Sequence, residues 1–153
     1  LLIIGLQLFL YILEILITGE IMLYHSISTG PDVQAVKDCF KKCHQLALAS
    51  SKKMKICIHT KDQLKGSSIE DALGEKFVKA LLKGPKPIQG VTILLETERK
   101  ENDTPMVVFA PHISSEYLYK IIFKNAQSDV VYLPWMDEEL QNYLKKHPDS
   151  IQI

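Results

Sequence analysis

Five short runs rich in Ile, Val, Leu and aromatic residues alternate with longer stretches whose apolar residues recur every three or four positions. That alternation of periods is the tightest constraint on this chain, because a strand buries alternate residues and a helix buries a stripe. The run MLYHSIST (22–29) reads as the first strand. TGP then turns the chain, with Pro31 suited to a first helical position. The helix over 31–50 presents Val33, Val36, Phe40, Cys43 and Ala47 along one stripe. A second strand, MKICIHT (54–60), follows. Ser67 and Glu70 have the spacing of a capping box, and they open a helix to Lys83 with Ile69, Leu73, Phe77, Leu81 and Leu82 inward. GPKP (84–87) ends that helix.

A third strand is expected over 88–98 and a fourth over 106–111, joined by the polar RKENDTP. The joint is too short for a crossover helix, so the two are expected to pair as an antiparallel hairpin. Helix 114–128, strand 129–135 and a last helix ending at Pro148 complete the order βαβαββαβα. Acids 137–139 at the start of that last helix and Lys145, Lys146 and His147 at its end both suit the helix dipole. The order predicts a three-layer α/β domain over 22–153, a mostly parallel five-stranded sheet with one antiparallel strand. Such an order is similar to that of Rossmann-like and flavodoxin-like domains, a likeness of fold that says little of function.

Residues 1–21 are a segment apart. LLIIGLQLFLYILEILIT is almost continuously apolar, without a basic region before it or a small-residue cleavage site, so it does not read as a signal peptide. Its length suits a membrane anchor, but Glu14 falls inside it and no Lys or Arg flanks it before Lys37. Gly19-Glu20-Ile21-Met22 can be encoded by a purine-rich ribosome-binding tract ahead of a start codon. The expectation is that Met22 is the natural start, with a membrane anchor or a helix packed on the domain as the alternatives.

Formal charge is zero, yet residues 31–86 carry 12 Lys against 6 acids. Those lysines are expected on solvated helix faces. Arg99 is the sole arginine, which argues against a nucleic-acid reader, since guanidinium forks carry most base contacts. Cys39, Cys43 and Cys57 are odd in number and form no C-x-x-C, so they read as reduced, buried residues of a cytoplasmic protein. Cys39, Cys43 and His44 lack a second ligand pair at zinc spacing, and no metal is expected.

In open α/β sheets ligands gather beyond the carboxyl ends of the parallel strands. That rule selects Ser28, Thr29 and Gly30 after the first strand, and His59, Thr60 and Lys61 after the second. It adds His112, Ser114 and Ser115 after the fourth, and Pro134 and Trp135 after the fifth. Two imidazoles, hydroxyls, one ammonium and an aromatic plate suit an anionic small molecule or a nucleotide. The same residues have structural readings: Ser28, Thr29, Ser114 and Ser115 as helix caps, the histidines as half-buried groups bonded to carbonyls, Trp135 as a plug at the sheet end. Glu96 and Glu98 share one side of the third strand. If that strand is antiparallel they point away from the ligand edge; if it is parallel they join it. No nucleophile elbow, H-E-x-x-H or kinase motif set occurs, so neither a reaction nor a cofactor is specified. The alternative to ligand binding is an interaction or self-association module.

Overall fold

The computed structural model describes residues 2–18, 22–99, 104–124 and 128–153. It is an α/β fold: a seven-stranded, mostly parallel sheet with helices on both faces. Helix α1 (Leu2–Thr18) precedes strand β1 (Leu23–His25). Helix α2 (Val33–Ser50), strand β2 (Met54–Ile58), a 3₁₀ turn (Lys61–Leu64), and helices α3 (Ser68–Leu73) and α4 (Glu75–Lys83) follow. Strands β3 (Lys86–Ile88), β4 (Val91–Thr97) and β5 (Val107–Pro111) lead to helix α5 (Ser115–Lys124). Strand β6 (Val130–Leu133), helix α6 (Asp137–Lys146) and strand β7 (Ile151–Gln152) end the order.

The strand order is β3-β4-β2-β5-β6-β1-β7. Every neighbouring pair runs parallel except β3 with β4. Alternation along the strands builds two apolar layers. Met54, Ile56, Ile58, Ile93, Val107, Phe109 and Val131 pack with Val36, Cys39 and Cys43 of α2, and with Ile69, Val78 and Leu81 of α3 and α4. Cys57, Val108, Ala110, Val130 and Tyr132 pack with Tyr117, Leu118 and Ile121 of α5 and Tyr143 of α6. All three cysteines are free and buried.

The antiparallel expectation for the third strand is corrected. β4 lies parallel to β2, with Cys57 opposite Glu96 and Ile58 opposite Thr97. β5 pairs with the other side of β2, so β4 and β5 do not touch as a hairpin. A parallel return does not require a helix. Nine residues, 98–106, reach roughly 30 Å when extended, more than the roughly 23 Å length of a seven-residue strand. The antiparallel pair is instead a short hairpin within the expected third strand. Gln89 and Gly90, both with positive φ (44° and 84°), turn Ile88 back onto Val91. Two residues with φ above zero are what a two-residue hairpin turn needs, and Pro87 is tolerated because β3 is an edge strand.

Three further differences are local. The helix expected from 68 to 83 breaks at Gly74, whose φ of 92° and ψ of 140° leave the helical region. Pro31 stands outside α2, and the cap is Asp32, whose Oδ1 accepts the Ala35 N–H at 3.0 Å. The short β7 extends the sheet beyond β1, with the Ile153 N–H donating to the His25 carbonyl at 2.9 Å. In α1, Leu2, Ile3, Ile4, Leu6, Leu8, Phe9 and Leu10 are exposed rather than packed on the domain. Among the described residues no helix is long and apolar enough to cross a membrane. Residues 19–21, part of the proposed leader, lie outside the described residues.

Candidate functional site

The chain leaves β2 through α3 and α4 on one face of the sheet, and leaves its neighbour β5 through α5 on the other. Loops that diverge in this way open a crevice at the carboxyl rim. Backbone bonds hold the rim together. Ser26 N–H donates to the Tyr132 carbonyl (3.0 Å), Gly30 N–H to the Trp135 carbonyl (2.8 Å) and His112 N–H to the Leu133 carbonyl (2.8 Å). Gly30 adopts φ 72°, which a residue without Cβ takes at no steric cost.

On the α3 side of this rim lies an open cleft of 410 Å³. Pro31, Gln63, Ile69, His112 and Trp135 line it, together with the Gly66–Ser68 turn. The imidazole of His112 packs on the Trp135 indole at 4.8 Å between centroids, edge to face at 71°. His112 has φ 56°, left-handed for a residue with a Cβ. Its Nε2 is buried and has no hydrogen-bond partner among the described residues. Burial lowers the His112 pKa, and a hydrogen bond between its ring and the Gly30 backbone opposes that shift. A hydrogen on Nδ1, toward the Gly30 backbone, leaves a lone pair on Nε2.

His59 faces the opposite side of the rim. Its Nε2 accepts the Ser114 N–H at 2.9 Å, so its hydrogen is on Nδ1, which donates to Glu98 Oε2 at 2.9 Å. The other Glu98 oxygen lies 3.8 Å from Lys120 Nζ. Glu98 reaches this position because β4 is parallel. An orienting acid for an imidazole is therefore present, but both ring nitrogens are spent. His59 ties the ends of β2 and β4 to the start of α5, and it has no lone pair to offer a substrate.

Deeper on the same side, Glu96 pairs with Lys55 Nζ at 3.0 Å and accepts the Cys57 thiol at 3.4 Å. Lys55 and Glu96 are 2% and 6% exposed, which marks this pair as structural. Burial, with Glu96 beside it, pushes the Cys57 thiol well up, so it is no nucleophile at neutral pH.

The remaining rim residues are dispersed. Ser28 Oγ donates to Asp32 Oδ2 at 2.6 Å, supporting the α2 cap rather than pairing with an imidazole. Thr29 and Thr60 are exposed. Lys61 lines a different cleft, of 200 Å³, with Lys83, Gly84 and Pro85 at the end of α4. Ser114 caps α5, its Oγ accepting the Tyr117 N–H at 3.2 Å, and Ser115 is the first residue of α5. His44 of α2 bonds the Ile88 carbonyl through Nε2 at 2.9 Å. Gln63 and the Gly66–Ile69 turn enter the cleft without having been expected there: Ser67 and Ile69 were read as a helix cap and a core residue. Their only signal was their place after β2, in a loop longer than a tight turn needs. No protein family, curated protein or solved structure matches this chain.

Proposed function

We propose that this domain binds a small molecule with a planar ring, of the nucleotide kind, in the cleft beside Trp135. The observation that supports this reading most is His112. It combines a left-handed backbone, a buried nitrogen without a partner and a place in the wall of the 410 Å³ cleft. Left-handed backbone at a residue with a Cβ and an unpaired buried polar atom each oppose folding by about 1–3 kcal/mol, and such features concentrate at binding sites. The volume falls in the range of small-molecule pockets, roughly 300–1,000 Å³. The lining contains no Lys or Arg, so the cleft would hold a ring and leave any phosphate toward solvent.

Trp135 is the only tryptophan of the chain and is 45% exposed, so its emission reports the cleft alone. Titration with ATP, GTP, NAD and their nucleosides is expected to quench or shift that emission to saturation and to raise the melting temperature. No change in either signal across the panel would reject the reading. A second reading, self-association, draws on Tyr119 and Phe123 of α5, 58% and 78% exposed. Sedimentation of the same samples tests it, and a monomer at all concentrations would remove it.

A further inference from the structure

We infer that Gln63 and His112 together read the edge of the bound ring, and that the ring is an uncharged heterocycle of the nucleobase type, offering an acceptor to Gln63 and a donor to His112. This rests on the cleft reading above and goes on to name the chemistry the cleft selects.

The argument starts from one hydrogen bond. Gln63 Oε1 accepts the His59 N–H at 3.0 Å. A backbone N–H is accepted by oxygen and not by an amide nitrogen, so this bond fixes which way the Gln63 amide points. The carbonyl is taken, and the NH₂ remains for the cleft that Gln63 lines. No hydrogen bond from that nitrogen to a described residue is present. Gln63 therefore serves the cleft as a donor.

His112 offers the complement. In the tautomer with its hydrogen on Nδ1, toward the Gly30 backbone, Nε2 is an acceptor, and it has no partner among the described residues. The Ser67 hydroxyl adds less: its Oγ already donates to the Leu64 carbonyl at 2.7 Å and accepts the Glu70 N–H at 3.3 Å. One directed donor and one directed acceptor, beside an indole face, match a flat ring with an acceptor and a donor on one edge. The N1 and exocyclic amine of adenine are such an edge, and so are the O6 and N1–H of guanine. A carboxylate or phosphate at the same place would meet a lone pair on Nε2 and is disfavoured there. Nε2 is buried and the Trp135 ring packs on the imidazole, so in this proposal an entering heterocycle moves that ring.

The test compares rings with and without the donor: adenosine against purine riboside, which lacks the amine, and guanosine against 1-methylguanosine, in which a methyl group replaces the N1 hydrogen. Affinity is read from Trp135 emission on the unaltered chain. For whichever pair binds, the donor-bearing member is expected to bind at least about tenfold more tightly, since its loss leaves Nε2 unpaired. In Gln63→Glu the side chain still accepts the His59 N–H but presents oxygen where the amide presented N–H. That variant is expected to lose at least about tenfold in affinity with its melting temperature little changed. Equal affinity within each pair overturns the inference and leaves the cleft reading standing. Silence of Trp135 toward all four nucleosides and the nucleotides overturns both.

Discussion

The most revealing residue of the rim is His59, because its type suggested chemistry and its bonds show architecture. With Ser114 N–H on one nitrogen and Glu98 on the other, it links three elements that are distant in sequence. His59→Ala should destabilise the domain by about 2 kcal/mol, read by urea unfolding. It should also speed hydrogen exchange at the Ser114 amide well beyond that at Val108 in the core, which a general loss of stability would not do selectively. Glu96 carries a different burden. Its pairing with Lys55 is buried, and removing one member of such a pair leaves a charge in a poor solvent. Glu96→Ala is expected to lower the unfolding free energy by about 3 kcal/mol. A change below about 1 kcal/mol would mean that the ammonium is satisfied without this carboxylate.

At the scale of elements, the break between α3 and α4 depends on Gly74. Its φ of 92° with ψ of 140° is a region that side chains rarely enter, although an added Cβ would meet no atom within 4 Å. The cost of Gly74→Ala is thus conformational, about 1–3 kcal/mol, and a denaturation midpoint measures it. Nothing in the apolar stripe announced this break, since Ile69, Phe77 and Leu81 stay in step across it. Strand existence was legible for the opposite reason: β2, β5 and β6 are buried along their whole length and read as continuous apolar runs. Strand direction was not legible, because residues 98–106 suit a loop of either sense. The positions of Glu96 and Glu98 depended on that direction. The hairpin of β3 was hidden by Pro87, which looks like a helix stop until β3 is seen to be an edge. His112 and Trp135 could be placed on one rim from strand order alone. Gln63 could not, because its orientation comes from a bond to the His59 backbone.

For the whole molecule, three histidines set a common pH response. Burial lowers the pKa of His25, His112 and His147 below the ordinary 6.5, with Lys146 adding to the effect at His147. Each prefers its neutral form when folded. As pH falls through 6.5 the unfolded chain takes up protons that the folded chain does not, so stability declines until the folded pKa values are reached. Chemical denaturation at pH 7.5 and 5.5 should show a lower midpoint at 5.5, and equal midpoints would contradict the burial of these rings. The rim itself answers to a different logic. Its loops are cross-bonded from β1 to β6, and His59 braces them from behind whether or not anything occupies the cleft. For the proposed binding this means a mould whose β1–β6 wall is already set: little chain entropy there would remain to be surrendered on docking, and the Trp135 indole would be the part to yield.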